Sequence, residues 1–187
     1  MPKKILNLGC GRRLIKGALN VDLLDIDRED YIKSDVLEFL RKKAYLEEWD
    51  EIHLHHIIEH FDFETAGEIL FRCWEALKCG GRIVVITPDF DALVRRYLEL
   101  KEKVGEMKAY LSVHYDIFST GEFTHHKICF VPELLQFLLE EVGFEVERLE
   151  RGSGSLGVEI FVVGRKVCKS KSRRKFLEEL GVEYTSP

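Results

Sequence analysis

Two glycines flank a cysteine at Gly9-Cys10-Gly11, directly after an apolar run over residues 4–8, and Asp22 sits at the end of the next apolar run, residues 18–23. Glycine lets backbone N–H and C=O groups approach a ligand closely. An acid at the tip of the neighbouring strand can accept two hydrogen bonds from a ribose diol. Together they describe a nucleoside-binding corner. The dinucleotide fingerprint demands more: a third glycine where this chain has Leu14, a full helix to receive the pyrophosphate, and an acid about 20 residues further on. Here Asp22 comes eleven residues after Gly11, with room between for little more than one turn. A nucleoside ligand without a pyrophosphate tolerates so short a connection. Asp35 has two compatible readings: an acceptor for an adenine amine, and the N-cap of a helix over residues 36–44.

Histidines form the second chemical group. His53, His55, His56 and His60 crowd one segment, and His125 and His126 come later. His56-Ile57-Ile58-Glu59-His60 spells HxxEH, which on a helix gives zinc two imidazoles and a glutamate to activate water. A zinc-dependent hydrolase built on His56, Glu59 and His60 is therefore the rival reading. Against it, the segment opens as a strand and no further acidic ligand motif follows, so no metal ligands are assigned. Imidazole titrates near neutrality and suits a general base. His126 and His60 are the catalytic candidates, with Asp89 as an orienting or substrate-binding acid. The plainer alternative for each is a structural hydrogen bond, with Glu59 and His60 bracing the helix that follows. His53 reads as a sheet residue with a satisfied ring nitrogen.

The elements that must position these groups follow from periodicity. Short apolar runs end at Leu8, Asp22 and Asp35, and the first half of residues 51–58 makes a fourth strand. Ala66, Ile69, Leu70, Cys73, Trp74 and Leu77 recur at helical spacing, and Gly80-Gly81 is expected to close that helix. Arg82-Ile83-Val84-Val85-Ile86-Thr87 reads as a strand buried on both faces. Residues 91–107 and 131–142 read as amphipathic helices, the second with Pro132 in its first turn and Gly143 at its end. Residues 144–150 and 158–167 are strands joined by a glycine-rich link too short for a crossover helix, hence an antiparallel hairpin. Residues 108–130 show no clear period and are expected to be a loop-rich insertion, with 105–130 as a substrate-side segment. Strand–helix alternation implies an α/β fold with a mostly parallel sheet. In such a fold every candidate polar group falls at the C-terminal ends of the strands.

The whole chain has 187 residues, enough for one sizeable core, expected to span residues 1–168. No run approaches the ~20 apolar residues of a membrane helix, and the N-terminal apolar stretch is too short for a signal peptide, so a cytoplasmic protein is expected. Five cysteines, an odd number without a CxxC pair, argue against a disulfide framework and for reduced thiols. A net charge of −5 excludes a large nucleic-acid footprint. A basic cluster, Lys166, Lys169, Lys171, Arg173, Arg174 and Lys175, leads into a C-terminal tail, 169–187. It reads as a solvated tail, with an RNA contact as the alternative.

Five ordered segments carry a family resemblance. Ile5-Leu6-Asn7-Leu8-Gly9-Cys10-Gly11, Asn20-Val21-Asp22-Leu23, Ser34-Asp35-Val36, Trp49-Asp50-Glu51-Ile52 running on to Ile57-Ile58-Glu59-His60-Phe61, and Ala76-Leu77-Lys78-Cys79-Gly80-Gly81-Arg82-Ile83 closing with Thr87-Pro88-Asp89 resemble the motifs of class I S-adenosylmethionine-dependent methyltransferases. The likeness is to the small bacterial and archaeal members and covers about residues 3–165. It implies a Rossmann-like seven-stranded sheet of order 3-2-1-4-5-7-6 with helices on both faces. It also implies S-adenosylmethionine held by Asn7, Gly9, Cys10, Gly11, Asp22, Leu23, Asp35, Val36, His55 and His56. Methyl transfer to a small-molecule acceptor, with an oxygen nucleophile favoured, is the activity implied. Asn7 replaces an acid and Arg13 a glycine of many members, and a module that binds the cofactor without catalysis is the alternative.

Overall fold

The computed structural model describes residues 2–42, 46–118, 125–153 and 158–168. The strands are β1 (Ile5–Leu8), β2 (Ala18–Asp22), β3 (Tyr31–Lys33), β4 (Trp49–His55), β5 (Leu77–Pro88), β6 (Phe144–Ser153) and β7 (Glu159–Lys166). They form one sheet in the order β3-β2-β1-β4-β5-β7-β6. β1 to β5 run parallel, whereas β7 lies antiparallel to both β5 and β6. The connection after β6 is too short to carry the chain back across the sheet, so the last pair must be a hairpin.

The helices are α1 (Val36–Leu40), α2 (Phe63–Ala76), α3 (Phe90–Val104), α4 (Glu106–Phe118) and α5 (Pro132–Val142). Aspartates start three of them: Asp35 accepts from Leu37 N and Glu38 N, Asp62 from Thr65 N, and Asp89 from Ala92 N. Each satisfies a backbone donor that the first turn leaves without an intrahelical partner. Leu6, Leu8, Ile52, Leu54, Ile83 and Val85 from the strands share one core with Phe39, Ile69, Leu70, Leu135 and Leu139 from α1, α2 and α5.

Three expectations about elements are corrected. Gly80-Gly81 does not end a helix: α2 stops at Ala76 and β5 already runs through both glycines. The pairing of β4 with β5 shifts register between Trp49 and Glu51, opposite this stretch. Gly80 takes φ +76, so the glycines serve an irregularity inside a strand. Residues 106–118 are helical, not loop; among the described side chains of α4, Ala109 and Val113 are buried, while Met107, Tyr110, Leu111 and Phe118 are exposed. Exposed apolar residues on several sides blur the period by which a helix is recognised. Lys166 lies in β7, as the strand expected over 158–167 implies, and so does not belong to a solvated basic cluster. Its side chain is buried, donates to Leu77 O at 2.7 Å and lies 4.3 Å from the Trp74 ring centroid. The remainder of the basic cluster falls in 169–187, outside the described residues.

Cysteine chemistry is corrected as well. Cys79 and Cys168 form a disulfide with their Cα atoms 5.2 Å apart. The β5–β7 register explains it. Arg82 pairs with Arg165, and the same antiparallel register three residues further on sets Cys79 opposite Cys168. Residues 89 apart in sequence thus become cross-strand neighbours, which no CxxC count reveals. No helix among the described residues is long and apolar enough to cross a membrane.

Candidate functional site: a nucleoside corner beside a glutamate–histidine cluster

The C-terminal ends of β1, β2, β3 and β4 meet at one edge of the sheet, with Leu8 opposite both Val21 and Leu54 and Asp22 opposite Lys33. The chain leaves β1 through two left-handed residues, Gly9 at φ +62 and Gly11 at φ +52. They answer different needs. A Cβ on Gly9 would lie 2.3 Å from Ile57 Cγ1, so this glycine lets the loop sit against the segment after β4. A Cβ on Gly11 would meet nothing within 4 Å, so this glycine borders open space.

Asp22 anchors the loop from the neighbouring strand. Its Oδ2 accepts from Gly11 N at 2.8 Å and its Oδ1 from Leu24 N at 3.1 Å. Carboxylate oxygens carry about four acceptor positions between them, so two remain for a diol. Asp35 caps α1 through Oδ1 alone, which leaves Oδ2 out of the cap. Leu23 is exposed at the tip of β2, an apolar surface beside this corner, while Val36 is buried in the core. The Cys10 side chain is also buried. Burial, then the nearby Asp22, pushes its thiol up to about 11, so it is inert at neutral pH.

Asn7 works from beneath. Its amide is buried and donates to Arg13 O at 3.1 Å and to Asn20 Oδ1 at 2.9 Å, while its own Oδ1 has no hydrogen-bond partner. Asn20 takes Ile15 N at 2.9 Å on the same oxygen and donates to Ile15 O, Ala18 O and Asp30 O. The two asparagines therefore pin the Arg13–Ile15 part of the loop to the strands. An acid at position 7 could not donate to Arg13 O.

His55 and His56 behave differently. His55 Nε2 lies 3.1 Å from His53 Nδ1, and His53 Nε2 lies 2.6 Å from Glu51 Oε1. Burial, with the charges of His53, His56 and Arg13, pushes His55 down to about 4, leaving it neutral at physiological pH. His56 takes φ 54, unusual outside glycine, and its N–H donates to Ile86 O at 2.8 Å. Its ring lies between Glu59, 3.5 Å away, and Glu159, 3.1 Å away. The Glu59 carboxylate raises its pKa, against burial, with Glu159 adding to the effect.

Beyond β4, Ile58–His60 forms a single 3-10 turn. Glu59 is buried; its Oε2 accepts from Thr87 Oγ1 at 3.1 Å. The Glu59 carbonyl accepts from Lys127 N at 2.8 Å and Ile128 N at 3.3 Å, which draws the 125–131 segment onto the turn. His126 consequently meets His60 edge to face, ring centroids 4.8 Å apart. A small recess of about 10 Å³, open to solvent, adjoins Glu59 and His126, with Pro88, Phe90, Leu93 and Phe130 in its wall.

The chain matches no protein-family model and no curated protein. Solved structures do resemble it. An S-adenosylmethionine-dependent methyltransferase from Archaeoglobus fulgidus superimposes with a TM-score of 0.58 at 20% identity, over 88% of this chain and 86% of that one. The 1,6-didemethyltoxoflavin-N1-methyltransferase of Burkholderia thailandensis, solved with its substrate and S-adenosylhomocysteine, gives 0.61 at 16% identity, over 89% and 72%. An S-adenosylmethionine-dependent methyltransferase from Methanosarcina mazei gives 0.56 at 15%, over 88% and 92%. The fold is that of the class I S-adenosylmethionine-dependent methyltransferases.

Within this methyltransferase fold, the structure brings together most of the residues singled out from sequence. Gly9, Gly11 and Asp22 form one corner, and His60 and His126 meet at the other side of the β4 end. Asp89 does not join the histidines. It is fully buried, and Arg151 grips it through Nε at 2.8 Å and Nη2 at 3.1 Å. Burial would raise its pKa, but Arg151 and the Ala92 N–H outweigh that and hold it below the ordinary carboxylate value. The HxxEH pattern does not form its helix, since His56 ends an extended segment and only three residues turn after it. That removes the geometry on which the zinc-hydrolase reading rested. Sequence reasoning missed Arg151 and Thr87. Only the buried Asp89 and Glu59 they serve would have pointed to them.

Proposed function

We propose that this chain is an S-adenosylmethionine-dependent methyltransferase acting on an oxygen of a small molecule. The observation that carries the reading is the Gly11–Asp22 pairing: a left-handed glycine facing open space, hydrogen-bonded to an acid at the next strand tip, in the class I methyltransferase fold. Gly9 and Gly11 would offer backbone to the cofactor, Asp22 would accept from its ribose, and Asp35 Oδ2 from its adenine amine. Leu23 would cover the adenine face. Neutral His55 and the His56 backbone would border the methionine end. When bound, S-adenosylmethionine supplies a methyl group on a sulfonium-activated carbon.

The residues of this chain then have to hold the acceptor in line, exclude water and take its proton. Pro88, Phe90, Leu93 and Phe130 would give the acceptor an apolar surface to lie against. His126 and His60, with Glu59 beneath them, are the groups to which proton uptake is assigned. The substrate named for the Burkholderia structure, 1,6-didemethyltoxoflavin, supports an acceptor of similar size.

Calorimetric titration with S-adenosylmethionine and S-adenosylhomocysteine, with NAD as control, tests the cofactor. Saturable binding of the first two and not of NAD is expected, and loss of both in Asp22→Ala. A folded protein that binds neither would overturn the reading.

A further inference from the structure

We propose that Glu59, His60 and His126 form a site for one divalent first-row cation such as zinc, beside the recess walled by Phe90 and Phe130. Each residue offers a ligand atom, and these atoms all lie within 4.8 Å of one another. Tetrahedral bonds of about 2.0–2.2 Å hold ligand atoms about 3.3–3.6 Å apart. The set therefore has to draw in by up to about 1.5 Å, through rotation of the two partly exposed histidine side chains.

A second observation points to the ion independently. Glu59 is 1% exposed, and its Oε1 has no hydrogen-bond partner, while Oε2 is taken by Thr87. The His56 Nδ1 atom, at 3.5 Å, sits at the far limit of a useful contact. A cation at Oε1 would give that oxygen the close partner that His56, at 3.5 Å, does not supply. His60 is held from one side, its Nδ1 lying 3.4 Å from His125 O. Two imidazoles and a carboxylate match a borderline divalent ion better than magnesium or calcium, which prefer oxygen ligands.

Three protein ligands leave a coordination position open, as catalytic rather than structural sites do. Glu59 and His126 also line the recess of about 10 Å³. The substrate class that follows is a small molecule presenting a hydroxyl next to a second oxygen, able to chelate the ion while the hydroxyl is methylated. With the ion present, the chelated hydroxyl would release its proton to solvent instead of to an imidazole, and its oxygen would take the methyl group as the sulfonium S–C bond breaks and S-adenosylhomocysteine leaves. This substrate assignment rests on the methyltransferase reading; the metal site does not.

The test is zinc titration of chelator-stripped full-length protein by calorimetry, without S-adenosylmethionine. One equivalent per chain is expected for the wild type. His126→Ala and Glu59→Gln should each weaken binding by at least about tenfold, and His114→Ala, on α4, should not. Circular dichroism melts establish that each variant is folded; should Glu59→Gln unfold, His126→Ala alone decides. Binding of no zinc, or binding unaltered in His126→Ala, overturns the site. S-adenosylhomocysteine titrated into the stripped protein reads the cofactor corner separately, so failure of one proposal is not mistaken for failure of the other.

Discussion

Replacing Gly9 by alanine separates two effects that a glycine loop usually confounds. The added Cβ would stand 2.3 Å from Ile57 Cγ1, 2.5 Å from its Cδ1 and 2.7 Å from its Cβ. Carbon pairs are comfortable only at about 3.5–4.0 Å. Because Ile57 Cβ itself is too close, no rotamer of that side chain clears the contact and the backbone has to move. Overpacking of this kind costs about 1–3 kcal/mol, and an L-residue in left-handed backbone adds about 1 kcal/mol. The total, about 2–4 kcal/mol, lies within a typical stability of about 5–15 kcal/mol, so the variant should fold. At about 2–4 °C per kcal/mol, its melting temperature should fall by about 4–16 °C. Gly11→Ala is the internal control. Its backbone is also left-handed, but its Cβ meets nothing within 4 Å, so about 1 kcal/mol and about 2–4 °C are expected. That Cβ enters the space assigned to the nucleoside, and S-adenosylhomocysteine affinity should fall more than about tenfold through overpacking. Differential scanning calorimetry and titration calorimetry read the two quantities. Equal melting temperatures for the two variants, or unchanged affinity in Gly11→Ala, would refute the reasoning, and Ile57→Ala should restore part of the stability lost in Gly9→Ala.

Other perturbations have equally definite outcomes. Arg151→Ala strands the buried Asp89 and should cost about 2–3 kcal/mol in urea denaturation at pH 7, below the figure for a fully buried pair because Arg151 is partly exposed. Asp89 titrates below its ordinary value, so the stability it confers is present above about pH 4 and is lost as pH falls through its lowered pKa. The gap between wild type and Arg151→Ala should therefore narrow at pH 3; a constant gap would mean the ion pair is not the cause. Cys79 and Cys168 are both exposed, so reduction should be facile and should destabilise by at most about 4–5 kcal/mol for a loop of this length. Melting with and without dithiothreitol, against Cys168→Ser, checks this. Asp22→Asn keeps an oxygen for the loop but loses the charge, and should weaken cofactor binding by about 1.5–3 kcal/mol in titration calorimetry.

Sequence made the sheet legible because the first three parallel strands are short apolar runs stopped at or just before glycine or aspartate. Leu8, Asp22 and Asp35 mark three strand ends, and the chemistry collects at strand ends in this architecture. The candidate corner was legible for the same reason: it is local, built from residues 9–22. His60 and His126 were legible as candidates but their meeting was not, because Glu59 and the His126 segment join through backbone hydrogen bonds in a stretch that has no periodicity. Spelling suggested a helical HxxEH motif, whereas positive φ at His56 breaks the helix that the motif needs. The clamp that Asn7 makes on the loop was not legible, because it depends on Asn20, its neighbour across the sheet. The disulfide escaped because it depends on antiparallel register, set by the β6–β7 hairpin and not by cysteine spacing.

That disulfide also fixes how the domain would bear a mechanical load. β1 begins at the edge of the sheet remote from the nucleoside corner, and β7 ends there, since Arg165 lies beside Arg82 while Glu159 lies beside Pro88. Tension applied beyond residue 168 would otherwise unzip β7 from β5 one pair at a time, the weakest direction for an antiparallel ladder. The Cys79–Cys168 bond passes the pull directly into the start of β5, which parallel pairing connects through β4 to β1. The force path then runs along the base of the central strands and spares both the β6–β7 hairpin and the opposite edge where the ligand groups lie. In the reduced protein the same tension would fall first on β7, and Glu159, which holds His56, would leave with it.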